Sequence, residues 1–103
     1  MLVGALIRRA QTAGGFATVL RKGDQISGAI LLQTMLRGNE TGLFERIPDL
    51  AEGYRLGPCG AQYWGDPQAL AQYIERRIRS DSDLWLIELD IADAEQFAAL
   101  SLC

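Results

Sequence analysis

Histidine is absent from the 103 residues. Without an imidazole to take a proton or bind a metal, serine-histidine and cysteine-histidine nucleophile pairs and the commonest zinc sites drop out. Carboxylate and lysine chemistry remain formally open, so a catalytic role is left undecided but not favoured, and no cofactor is called for. Cysteine is scarce: Cys59 lies in a glycine-rich stretch and Cys103 is the last residue. Two are too few for a disulfide framework, and in a reducing compartment both stay free thiols. No wholly apolar run exceeds the four residues of Ala29 to Leu32, far short of the roughly 20 needed to cross a bilayer. The start, Met-Leu-Val-Gly-Ala-Leu-Ile, meets Arg8 and Arg9 at once and lacks the order of a secretory signal; the expectation is a cytoplasmic protein with no membrane partner. Positive charge is not in excess either. A formal net charge of -3 supplies no overall attraction for phosphate polyanions, which argues against nucleic acid despite the local Arg76, Arg77, Arg79 cluster.

What is present is a foldable pattern. Hydrophobic residues make up 49% and charged residues 22%, a globular balance. A second core would leave each about fifty residues to cover its own apolar groups, so residues 1–103 are expected to form a single domain. Leu2, Val3, Leu6, Ile7, Ala10 and Ala13 recur at helical spacing until Gly14-Gly15 stops them. Phe16 to Leu20 and Ile26 to Met35 are strand-like, and the Arg21-Lys22-Gly23-Asp24 tip between them predicts a hairpin whose glycine reverses the chain. That tip lacks the spaced glycines and the lysine-serine/threonine ending of a phosphate loop. A second reversal over residues 37–42 leads to a third strand ending near Pro48, and a short strand is expected around Tyr54 to Leu56. Asp66-Pro67 opens a helix that runs to about Arg79, since aspartate caps free amides and proline wastes none. Leu84 to Leu89, almost continuously apolar, suits a central strand. Ile91 to Leu102 completes the chain as a short helix.

The fold class is therefore α+β, in the order α-β-β-β-α-β with a terminal helix. The expected packing is a mostly antiparallel sheet of four to five strands with the two main helices on one face. The residues Arg8-Arg9-Ala10, Ala13-Gly14-Gly15-Phe16-Ala17, Val19-Leu20-Arg21-Lys22-Gly23-Asp24 and Gly28-Ala29, followed downstream by Arg76-Arg77, Arg79, Asp81 and Asp83-Leu84-Trp85-Leu86-Ile87-Glu88-Leu89, resemble the alphaproteobacterial family known as domain of unknown function 1491. The resemblance covers most of the chain and implies one intact small domain; it implies no activity. Where that family reads Asp-Pro-Asp-Leu-Trp, Ser82 replaces the proline, which predicts a less rigid turn before the last strand.

Two groups of side chains stand out. Arg9 and Arg77 flank the apolar stripes of the two main helices, and Glu88 sits on an otherwise apolar strand. A charge beside a core survives when paired, so Arg9 or Arg77 is expected to neutralise Glu88. The alternative is an anion site for phosphate or carboxylate formed by Arg8, Arg9 and Arg77 around Glu88, using the planar donor fork of arginine. Tyr54, Tyr63 and Trp64, on the least regular segment, form either an aromatic contact surface or a cover for the sheet. Cys59 is a reactive thiol only if the loop amides lower its pKa; otherwise it is a small side chain in a loop. The leading functional expectation is a non-enzymatic binding or assembly module that forms a homodimer or contacts a protein partner through an exposed strand edge or these aromatics. A small-molecule anion binder or enzyme is the alternative.

Overall fold

The computed structural model describes residues 2–25, 28–51 and 53–103. The elements are helix α1 (Leu2–Thr12), strands β1 (Phe16–Arg21), β2 (Ile30–Leu36), β3 (Asn39–Asp49) and β4 (Gly53–Pro58), a 3-10 turn at Ala61–Tyr63, helix α2 (Pro67–Ser80), strand β5 (Trp85–Asp90) and helix α3 (Ala94–Leu102). This is the expected α+β order. The predicted beginning of the second strand, Ile26 and Ser27, lies outside the described residues.

Local chemistry accounts for the element ends. Gly14, at φ 84°, closes α1: its N–H donates to the Gln11 carbonyl at 3.2 Å and the Gly15 N–H to the Ala10 carbonyl at 2.8 Å, the paired bonds of a glycine C-cap. The Asp66 carboxylate accepts from the Ala69 N–H at 3.1 Å, with Pro67 as the first helical residue of α2. The β2–β3 reversal is tighter than residues 37–42 suggested. Arg37 and Gly38 both have positive φ, 52° and 82°, the two-residue turn whose twist matches the strands it joins. Asp90, at the end of β5, locks that turn by accepting from the N–H groups of Arg37 and Gly38, each at 2.8 Å.

The sheet order is β1-β5-β2-β3-β4. β2, β3 and β4 form the expected antiparallel run, but β1 and β2 do not pair as a hairpin. β5 enters between them, antiparallel to β1 and parallel to β2. The chain after β1 consequently crosses the N-terminal end of β5 and is fastened there. Arg21 donates to the Ser82 carbonyl at 2.9 Å and the Trp85 indole N–H to the Asp24 carbonyl at 2.8 Å; the Asp24 N–H donates to the Asp83 carbonyl at 3.0 Å. The turn that loses the proline at position 82 is thus pinned from outside by this loop.

One face does carry two helices, but they are α1 and α3. Val3, Leu6 and Ala10 of α1 and Ala94, Ala98 and Leu102 of α3 pack on Ile30, Leu32, Phe44, Trp85, Ile87 and Leu89. α2, expected beside α1, lies on the opposite face, where Leu70 and Ile74 meet Leu31, Leu43, Leu84 and Leu86. β2 and β5 bury apolar side chains on both faces, so either face could have received α2. Among the described residues no helix is long and apolar enough to cross a membrane.

Candidate functional site

The split of the helices decides the arginine question. Arg9 ends α1 on one side of the sheet, where it donates to the Ser101 hydroxyl and its guanidinium stands 5.2 Å from the Phe97 ring centre. Arg77 lies on the other side, bonded to the Glu45 carboxylate at 2.7 Å and to the Tyr73 hydroxyl at 3.1 Å. Glu88 shares the α2 side by strand alternation, in register with Thr18 and Gln33. The structure therefore does not bring Arg9, Arg77 and Glu88 together, and the acid that neutralises Arg77 is Glu45, not Glu88. The strong hydrogen bond to Glu45 raises the Arg77 pKa further, against the opposing effect of burial. Arg8 and Arg9 line an open cavity of about 320 Å³ with Thr12 and Phe97. It sits at the carboxyl end of α1, where the helix dipole complements the arginines and repels an anion.

An isosteric substitution separates the two acids. Glu45→Gln is expected to lower stability by about 1–2 kcal/mol, because both partners retain roughly a quarter of their exposure and are partly screened. Glu88→Gln should change it by less than about 0.5 kcal/mol. Thermal melts of the two variants check this; an equal or larger loss at Glu88 would contradict the pairing.

The aromatic segment divides as well. Trp64 donates its indole N–H to the Cys59 carbonyl at 3.1 Å and packs 5.4 Å from the Phe44 ring. Tyr63 rests 5.8 Å from Tyr73. Both are half-buried and belong to the packing. Tyr54 alone of the three is exposed, and the Arg46 guanidinium stacks on its ring at 3.5 Å. Arg46 also donates to the Leu102 carbonyl, tying β3 to the end of α3. Burial pushes the Cys59 thiol up, and the nearby Arg77 only partly offsets it. The folded chain thus keeps the thiol protonated, the opposite of a reactive cysteine.

What the sequence analysis missed is the margin of the sheet. The long second strand, which would offer a free edge only at the margin, is central; the edges are β1 and β4. β1 alternates strictly between exposed and half-buried residues. Ala17 and Val19 pack toward the α1–α3 core, while Phe16 and Leu20 turn to the α2 side and remain 72% and 48% exposed. α2 covers β2, β3 and β5, and among the described residues no β1 side chain belongs to the apolar cluster beneath it. The alternation was visible in Phe16-Ala17-Thr18-Val19-Leu20, but with apolar residues at both parities it pointed equally to a buried strand.

The profile of the family described as "Protein of unknown function (DUF1491)" matches residues 1–99. The chain belongs to this family. A family member from Caulobacter crescentus CB15, solved in a crystal, is 36% identical, with a TM-score of 0.76 over 92% of this chain and 88% of that one. A family protein from the same organism solved by NMR is likewise 36% identical, with a TM-score of 0.75 over 93% and 86%. Protein Atu0922 from A. tumefaciens, a solution structure, is 32% identical, with a TM-score of 0.70 over 94% and 87%. No curated protein matches. The family relation thus carries the fold across nearly the whole chain and assigns no activity.

Proposed function

We propose that this DUF1491 chain is a non-enzymatic binding or assembly module that receives a protein strand along the free edge of β1. The observation that carries this reading is the pair of exposed apolar side chains, Phe16 and Leu20, on a margin with no proline and no charge before Arg21. An edge strand presents unpaired amides and carbonyls, and proteins that do not use such an edge blunt it with charge, proline or short length. The two edge strands are equally short, 6 residues each, but the opposite margin adds proline and charge within the strand. β4 starts at Gly53, carries Arg55 and ends at Pro58, and its neighbour β3 holds Pro48. Strand addition draws affinity from main-chain hydrogen bonds and specificity from alternate side chains, which at β1 are Phe16, Thr18 and Leu20. The polar groups suited to chemistry are engaged elsewhere: Arg77 with Glu45 and Tyr73, Arg46 with α3, Asp90 with the β2–β3 turn.

A photocrosslinking residue placed at Thr18 tests the use of this edge, with the same residue at Arg55 as the opposite-edge control. The expected result, in cells that make the protein, is a covalent protein adduct from position 18 that disappears with Phe16→Lys and Leu20→Lys and is absent from position 55. No adduct at position 18 would remove the reading.

A further inference from the structure

We propose that the strand added to β1 is β1 of a second copy, the two running antiparallel about a two-fold axis through Thr18 and joining two five-stranded sheets into one of ten. This rests on the edge-binding reading above. The β1 ladder to β5 is regular from Phe16 to Val19 and shifts register before Arg21. The usable segment is therefore Phe16 to Leu20, and Thr18 is its midpoint. Antiparallel pairing about that midpoint keeps each face intact. Phe16 of one copy falls opposite Leu20 of the second and Ala17 opposite Val19, so each exposed apolar side chain gains an apolar cross-strand neighbour.

Charge favours the same arrangement. On the β1–β5 ribbon Arg21 and Lys22 follow the pairing segment at one end and Asp90 stands beside Phe16 at the other, while Glu88, beside Thr18, lies at the midpoint and Asp24 and Asp83 lie beyond Lys22. A two-fold through Thr18 lays Arg21 and Lys22 of each copy toward Asp90 of the other, at separations on the order of a Debye length, about 8–10 Å. A five-residue seam buries less than the roughly 800 Å² per partner of a standard interface, so the association belongs in the micromolar range and should weaken as salt rises.

The purified chain tests this. Light scattering from micromolar to submillimolar concentration is expected to follow a monomer–dimer equilibrium, and Thr18→Lys is expected to hold the chain monomeric with an unchanged melting temperature. In a Cys59→Ser, Cys103→Ser background with a cooperative melt, Thr18→Cys should oxidise to a disulfide-linked dimer, because only the residue on the axis meets its own image; Arg55→Cys should not. A strictly monomeric chain overturns the second copy as partner, and a dimer in which Thr18→Cys fails to crosslink overturns this register. Either result can stand beside a Thr18 photoadduct to another protein, which would leave the edge-binding reading intact.

Discussion

Gly23→Ala is expected to lower the melting temperature by roughly 10–20 °C, corresponding to a loss of about 2–3 kcal/mol in a domain of this size. A Cβ at Gly23 would stand 2.2 Å from the Asp83 carbonyl oxygen, 2.6 Å from the Trp85 ring and 2.8 Å from the Leu84 carbonyl carbon. Two of those three atoms are backbone, so the collision is relieved only by lifting the loop off β5. That movement also strains the Trp85 to Asp24 bond of 2.8 Å. Gly28 is under the same constraint, 2.4 Å from the same Asp83 oxygen. Gly4 is the opposite case. It lies inside α1, where a Cβ would meet only the end of the Arg8 side chain at 3.4 Å; Gly4→Ala should therefore raise stability by up to about 1 kcal/mol through helix propensity. Calorimetric melts of the two variants should move in opposite directions. A Gly23→Ala chain as stable as its parent would mean that the loop does not cross β5.

Ile87→Ala is expected to cost about 2–5 kcal/mol, enough to leave a domain of this size largely unfolded at moderate temperature. Ile87 is fully buried, in register with Val19 on one side and Leu32 on the other, beneath the α1–α3 layer. Truncating it leaves a cavity bounded by two strands and two helices that cannot all close inward. Were β5 at a margin, with β1 and β2 paired as a hairpin, the same truncation would open toward solvent and cost about 1 kcal/mol or less. Denaturant titration distinguishes the two, since the midpoint should fall with little change in slope.

The misplacements have physical causes in particular residues. Phe16-Ala17-Thr18-Val19-Leu20 and the run from Ile26 to Met35, joined by a charged glycine turn, satisfy the local rules for a hairpin. Nothing within those residues announces that a strand more than fifty positions later will enter between them. Leu84-Trp85-Leu86-Ile87 did announce a central strand, because it offers apolar groups to both faces. The same property hid the helix placement, since a strand that welcomes cover on both sides does not say which side receives α2. Arg77 was correctly singled out as a charge beside the core that needed a partner. Its partner, Glu45, was passed over because Leu43, Glu45 and Ile47 share one parity and Phe44 and Arg46 the other, so each side of the strand mixes apolar and charged residues until α2 is known to lie above Glu45.

The residues by themselves determined the kind, order and approximate ends of the main elements, the caps at Gly14 and Asp66, the central role of the last strand and the absence of imidazole chemistry, because each depends on side-chain periodicity, backbone preference or composition within a short stretch. Only the tertiary structure decided that β5 separates β1 from β2, that α1 and α2 oppose each other across the sheet, that Arg9 and Arg77 never meet, and that Phe16 and Leu20 are left at an open margin. Those outcomes depend on competition among distant apolar surfaces of similar worth, which no local pattern records.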